Sequence, residues 1–104
     1  MTDNVIVIPE WELLYMLHYH ITVIGYVQGV GFRYYIRKIA SLHGINGWVR
    51  NMPDGTVEID AEGGEANMAE FVKAVEKGSR YSSVEKVNVE KLAETENYKS
   101  FEIV

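Results

Sequence analysis

The fold is decided by residues 18–44, HYHITVIGYVQGVGFRYYIRKIASLHG, where an extended segment leads through a glycine-rich turn into a helical pattern. From His18 to Gly25 the residues are mostly β-branched or aromatic, which predicts a first strand. Beyond the turn, large side chains recur at helical spacing at Phe32, Tyr35, Ile36, Ile39 and Leu42 or His43. We expect the helix to end at Gly44, because glycine is a common helix stop. The segment therefore predicts a strand and a helix joined by a glycine-rich loop.

The next segment has the pattern of a hairpin. A second strand is predicted over Gly47–Met52, and Pro53-Asp54-Gly55 forms a turn in which proline presets one dihedral angle and glycine accepts another. Thr56–Glu62 alternates strictly between apolar and polar residues, which predicts a third strand. The alternation places two sets of side chains on opposite faces: Val57, Ile59 and Ala61 towards the core, and Glu58, Asp60 and Glu62 towards solvent.

The remaining elements complete the order. A second helix is predicted from about Glu65 to Lys77, a fourth strand around the valines at 84, 87 and 89, and residues 98–104 are compatible with a short fifth strand. The order β-α-β-β-α-β is that of the ferredoxin-like split sandwich, an α+β fold with two helices on one face of an antiparallel sheet. This fold hosts many functions, so function must be inferred from a site.

The first residues fit this scheme poorly, and the sequence predicts a leader over residues 1–17 and a core domain over residues 18–104. The apolar run Val5–Ile8 lacks the basic start and the cleavage site of a secretory signal. Met16 is an alternative start, which favours a leader that the core does not need. The other interpretation is an added edge strand or an arm between subunits.

Composition excludes several classes of site. The 104 residues include no cysteine, which rules out disulfides, thiol nucleophiles and thiolate metal sites. The three histidines do not have the spacing of metal ligands. We therefore expect no metal and no cofactor. No apolar run approaches the ~18 residues of a membrane span. The sequence predicts a cytoplasmic monomer without a membrane partner, and its net charge of −5 argues against nucleic acid as the main partner.

The charge distribution is more informative than the total. Between Leu13 and Pro53 there is no acidic residue, whereas residues 54–104 hold twelve acidic and six basic side chains. An anionic ligand would meet least repulsion in the segment without acids. The alternative is chance clustering on a solvated face.

The loop Gly25–Arg33 has the features of an anion site. A helix N-terminus presents unpaired N–H groups and a partial positive charge, and glycines let a phosphate approach the backbone closely. The first helical turn would normally favour a carboxylate, yet it holds Arg33. The dinucleotide pattern G-x-G-x-x-G fails at Tyr34, and no Walker triplet occurs. The alternative is a tight connection in which Arg33 is merely solvated.

Asn51 is predicted to lie at the same edge of the sheet as this loop. The first and second strands run parallel in this topology, and if the third lies between them their ends are roughly 10 Å apart. An arginine and an asparagine can span that gap around a bound phosphate. Asparagine is also common where turns begin, which is the structural alternative.

Three linked motifs closely resemble the acylphosphatase family: VQGVGFR at residues 27–33, GWVRN at 47–51 and PDGTV at 53–57. The resemblance extends over about residues 19–103 and departs mainly in the leader and in residues 79–82. It implies that Arg33 binds the substrate phosphate and that Asn51 positions the attacking water. It also implies a phosphate-binding loop made by the backbone amides of Gln28, Gly29, Val30, Gly31, Phe32 and Arg33.

The implied reaction is hydrolysis of the carboxyl–phosphate anhydride bond of small acyl phosphates to carboxylate and inorganic phosphate. The leaving carboxylic acid has a pKa near that of Glu, about 4.3, so it departs without a general acid. Positioning and charge stabilisation then suffice, which predicts a metal-independent enzyme in which inorganic phosphate or sulfate competes with substrate.

Two other interpretations remain at this point. An RNA-binding RRM is suggested by a partial RNP1 match at Gly29, Gly31, Phe32 and Tyr35, although RNP1 belongs on a strand and these aromatic residues fall on a helical pattern. The second interpretation is a domain of the same family that binds its ligand without catalysis, as found fused in carbamoyl-transfer proteins.

Overall fold

A computed structural model describes residues 15–104, which form five strands and two helices. In chain order they are β1 (Met16–Tyr26), α1 (Phe32–Leu42), β2 (Asn46–Asn51), β3 (Val57–Gly64), α2 (Glu65–Lys77), β4 (Ser83–Leu92) and β5 (Phe101–Ile103). Within the described part of the chain, neither helix has the length and apolarity needed to cross a membrane.

The strands form one sheet in the order β4-β1-β3-β2-β5. β1 is antiparallel to β3 and β4, and β2 is antiparallel to β3, so β1 and β2 run parallel with β3 between them, as predicted. The ferredoxin-like α+β fold is thus confirmed, but the sheet is mixed rather than purely antiparallel, because β5 pairs in parallel with β2. The reason is the connection between β4 and β5, which brings Phe101 to the start of β2, opposite Gly47.

The core lies between the sheet and the two helices. Inward side chains of β1 and β3 meet the buried faces of α1 and α2. The fully buried large residues include Ile21, Val23, Phe32, Ile36, Val57, Ile59, Met68, Phe71 and Val75. The helices are also joined by a hydrogen bond, which the hydroxyl of Tyr35 donates to the backbone oxygen of Ala74 at 2.8 Å. The inner face of β3 is confirmed, and so is the predicted helical stripe at Phe32, Tyr35, Ile36 and Ile39. The stripe does not extend to Leu42, which is exposed because the helix ends there.

The opposite face of β3 differs from the prediction. Asp60 and Glu62, expected to face solvent, are only 6% and 4% exposed. The β4–β5 connection covers them: the backbone N–H groups of Glu96 and Tyr98 donate to the Glu62 carboxylate, and the Tyr98 hydroxyl donates to Asp60 at 2.7 Å. Strict alternation identifies the side chains that point away from the core, but it does not reveal that a distant segment covers them.

The start of the chain is described only from residue 15. β1 begins at Met16, so Met16 and Leu17, which the predicted division at residue 18 assigns to the leader, pair with Gly64 and Gly63. The rest of the predicted leader, residues 1–14, lies outside the described residues, and its role stays a prediction.

Candidate active site

The glycine-rich loop connects the end of β1 to the start of α1. Gly29 and Gly31 both have φ of +75°, a left-handed conformation that other L-residues adopt only with strain. Val30 between them does not have a positive φ. An alternation of this kind is typical of the concave backbone nests in which successive N–H groups bind an anion. The glycines are therefore required by the backbone conformation.

The amides of the loop are available as donors. Within residues 15–104, none of the backbone N–H groups of residues 28–33 donates to another protein atom. α1 begins after Gly31 with no side-chain cap and no acidic residue in its first turn. The unpaired amides and the positive end of the helix dipole therefore point to an anion as the ligand.

A small cavity of about 90 Å³ brings together five of the seven predicted site residues, all except Gln28 and Val30. Its lining comprises Val27, Gly29, Gly31, Phe32, Arg33, Tyr34 and Asn51. Because one water occupies about 30 Å³ in the liquid, the cavity has room for a group of roughly phosphoryl size. Among residues 15–104, Arg33 has no carboxylate within salt-bridge distance, so its guanidinium is available to a ligand.

Asn51 is the last residue of β2, and it lines this cavity together with the loop and the start of α1. Its Oδ1 is buried and accepts no hydrogen bond from any residue that the structure describes. An unpaired buried carbonyl costs about 1–3 kcal/mol, so its presence at a cavity wall makes Asn51 a candidate for a functional residue. The amide offers an acceptor and a donor to whatever occupies the cavity.

Two residues of the predicted loop point their side chains elsewhere. Val30 packs against the hydrophobic core. The amide nitrogen of Gln28 donates to the backbone oxygens of Met52 and Thr56, each at 2.8 Å. Gln28 thereby joins the loop to the turn that directly follows Asn51. The sequence indicates only the backbone amide of Gln28, because no local pattern reveals that its side chain reaches a hairpin 24 residues away.

The structure removes the RNP1 interpretation. Phe32 and Tyr35 lie on α1 rather than on a strand, and the Phe32 side chain is buried in the core. A stacking surface for bases requires exposed aromatic residues on the sheet. Among residues 15–104 there is likewise no group of three or more metal-ligating side chains placed to hold an ion.

Fold and site together define a ferredoxin-like α+β protein with an anion-binding loop beside an arginine and an asparagine. Comparison with known proteins gives the family, since the acylphosphatase family model matches residues 19–103. The acylphosphatase of Bacillus licheniformis is 51% identical over 88 residues, covering 85% of this chain and 98% of that protein. The chain belongs to the acylphosphatase family, and the predicted hydrolase activity on acyl phosphates is that of the family.

Comparison with solved structures gives the same family. The crystal structure of acylphosphatase from Bacillus subtilis matches with a TM-score of 0.83 at 45% identity, covering 85% of this chain and 98% of that one. The structure of an acylphosphatase from Coxiella burnetii matches with a TM-score of 0.86 at 31% identity, covering 92% of this chain and 100% of that one.

Proposed function

We propose that this chain hydrolyses small acyl phosphates in the cavity between the glycine-rich loop and Asn51. The observation that carries the proposal is the common lining of this cavity by Gly29, Gly31, Arg33 and Asn51. The loop amides and the Arg33 guanidinium bind the phosphoryl oxygens, since a planar guanidinium binds two of them at once. Asn51, which lines the same cavity, orients the attacking water.

The reaction needs few protein groups. The water oxygen forms a bond to phosphorus while the bond from phosphorus to the acyl oxygen breaks, and the carboxylate departs as an anion. A phosphoryl oxygen accepts the proton of the water, which leaves inorganic phosphate. Because the leaving group needs no proton, positioning and charge stabilisation by Arg33 and the amides supply the catalysis. We expect metal-independent turnover.

The same site explains the expected competitors. Inorganic phosphate or sulfate presents the oxygens that the loop binds, so either anion should compete with substrate. The monomeric state and the cytoplasmic location stay predictions. A binding-only domain would hold phosphate without turnover, and the presence of both Arg33 and Asn51 at one cavity favours catalysis.

The test is to incubate the full chain with benzoyl phosphate in the presence of a chelator and to follow loss of the acyl phosphate. We expect turnover that EDTA does not inhibit and that inorganic phosphate inhibits competitively. Phosphate binding without hydrolysis would favour the binding-only domain. Hydrolysis that depends on added metal would contradict the proposed chemistry.

A further inference from the structure

A groove lies between α1 and β5 at the edge of the sheet, next to the phosphate cavity. Its volume is about 610 Å³, and its lining includes Tyr34, Arg37, Lys38, Ser41 and Phe101. Tyr34 lines both this groove and the phosphate cavity, so the two spaces adjoin at this residue. A ligand held in the cavity can therefore extend past Tyr34 into the groove.

The groove is cationic. Arg37 and Lys38 are exposed, and among residues 15–104 neither lies within salt-bridge distance of a carboxylate. Arg37 Cζ lies 5.3 Å from the centre of the Tyr34 ring, which keeps the guanidinium beside the cavity.

No acidic residue lines the groove. On the facing strand β5, Phe101 packs against the core, whereas the neighbouring Glu102 is exposed and accepts a hydrogen bond from Ser100 at 2.6 Å. Successive side chains of a strand point to opposite faces, so Glu102 is directed away from the groove. The positive charge of the groove is therefore not neutralised by its walls.

In-line attack determines where the acyl group lies. The water and the leaving oxygen occupy opposite sides of the phosphorus, so the acyl group leaves on the side away from Asn51. The exposed residues of the cavity lining are Gly29, Gly31 and Tyr34. Since the glycines have no side chain, Tyr34 is the exposed side chain that the acyl group meets.

We propose that Tyr34, Arg37 and Lys38 form a subsite for the acyl part of the substrate. The subsite favours acyl phosphates that carry a second anionic group, a carboxylate or a phosphate, a few bonds from the anhydride. Arg37 follows Arg33 by one helical turn, about 5–6 Å, which is roughly the length of a four-carbon dicarboxylic acyl group. The inference rests on the proposed function, because it needs the phosphoryl group to occupy the cavity.

The experiment compares succinyl phosphate with butyryl phosphate, which have the same chain length but differ by a carboxylate in place of a methyl group. For the unmodified chain we expect kcat/KM to be at least about tenfold higher for succinyl phosphate, with a preference that shrinks as salt is added. In Arg37→Gln/Lys38→Gln, kcat/KM for succinyl phosphate should fall about tenfold, mainly through KM, while butyryl phosphate changes less than about twofold.

The matched control is Lys73→Gln/Lys77→Gln on α2, which removes the same charge from a helix that does not line the groove. It should keep the preference for succinyl phosphate. Three outcomes would each overturn the proposed subsite. The unmodified chain could hydrolyse both substrates equally, the preference could survive in Arg37→Gln/Lys38→Gln, or the control variant could abolish the preference as well. If neither substrate is hydrolysed, the proposed function fails, and the subsite fails with it.

Discussion

Arg33 lies at a position where a cation is normally unfavourable, and its place in the structure indicates why an arginine is found there. A cation in the first turn of a helix costs a few tenths of a kcal/mol, and Arg37 four residues later adds like-charge repulsion. Arg33 lines the cavity beside the unpaired amides of the loop, where an anion would reverse both penalties. The sequence alone predicts this residue because a helix start without a carboxylate is unusual, and the motifs around it are specific.

Replacement of Arg33 should remove most of the activity. We expect Arg33→Ala to lower kcat/KM for benzoyl phosphate at least 10³-fold, by analogy with arginines that stabilise phosphoryl-transfer transition states. Arg33→Lys should recover little, because an ammonium group cannot bind two oxygens in a planar arrangement.

The control for Arg33 is Arg50→Ala. Arg50 is exposed, pairs with Glu58 at 2.6 Å and is absent from the cavity lining. It should retain the activity of the unmodified chain. Near-normal kinetics for Arg33→Lys would show that charge alone suffices and would contradict the bidentate role.

Asn51 should separate turnover from binding. Its unpaired Oδ1 at the cavity wall suits a water, whereas we propose that the loop and Arg33 bind the phosphoryl group. We expect Asn51→Ala to abolish hydrolysis of benzoyl phosphate while the Kd for inorganic phosphate, measured by calorimetry, changes only about twofold to threefold. Asn88→Ala, on the exposed edge strand β4, is the control and should leave both values unchanged. Loss of phosphate binding with preserved turnover would reverse the role assignment.

At the scale of elements, the site depends on two segments that meet only through the fold. The loop before α1 carries the proposed phosphate-binding groups, and the β2–β3 hairpin carries Asn51. Gln28 connects them through two hydrogen bonds of 2.8 Å to the turn after Asn51. The turn itself is closed by the N–H of Met52, which donates to Thr56 at 2.9 Å. Gln28 therefore fixes the loop relative to the hairpin that carries Asn51, and we propose that it positions Asn51 for the reaction.

Loss of this connection should lower the rate more than the affinity. Gln28→Ala leaves the loop amides in place but removes both bonds to the hairpin, so we expect kcat for benzoyl phosphate to fall about tenfold or more, with the Ki of phosphate within about threefold. The control is Asn46→Ala, which removes one side-chain bond, to the backbone oxygen of Tyr98, without touching the loop. Comparable kcat losses in both variants would mean that the Gln28 effect is one of stability.

The elements show which features follow from local sequence. The periodicity of the strands and helices and the turn at residues 53–55 follow from local sequence patterns. The parallel course of β1 and β2 follows from the topology of the fold, and it places Arg33 and Asn51 at the same edge of the sheet. The Gln28 bonds are not predictable in this way. They depend on the three-dimensional distance between a loop and a hairpin, for which a single sequence contains no periodic signal.

At the scale of the whole molecule, the β4–β5 connection changes the outer face of the sheet. It covers a buried polar cluster formed by His18, Asp60 and Glu62, and its own Tyr98 hydrogen-bonds to both carboxylates of that cluster. The alternation of β3 correctly predicts that the side chains of its inner face are buried, but wrongly predicts that those of its outer face are exposed. Periodicity describes a single strand, whereas burial depends on every segment that packs on that strand. The parallel pairing of β5 has the same origin.

The cluster contains a charged pair. Nε2 of His18 lies 2.5 Å from Asp60 Oδ1, and Nδ1 lies 2.6 Å from the backbone oxygen of Glu94. Both partners are acceptors, so the imidazolium form, with two N–H donors, fits the site. Burial opposes the charge of His18, but the Asp60 and Glu94 hydrogen bonds and the nearby carboxylates outweigh it and raise its pKa above 6.5. Burial likewise opposes the Asp60 charge, yet its bonds to His18, His20 and Tyr98 lower its pKa below 3.8.

These two shifts predict a stability maximum in mildly acidic solution. The pKa of His18 is raised in the folded state, so its contribution is complete below pH 6.5 and is lost as the pH rises through the folded pKa. The pKa of Asp60 is lowered, so its contribution is present above pH 3.8 and is lost as the pH falls through the folded pKa. Urea denaturation from pH 3 to pH 9 should show the free energy of unfolding decline on both sides of this window. In His18→Gln the decline above pH 6.5 should largely disappear, whereas in the control His43→Gln, at the end of α1, it should persist. A decline of equal size in His18→Gln and the unmodified chain would assign it to other groups.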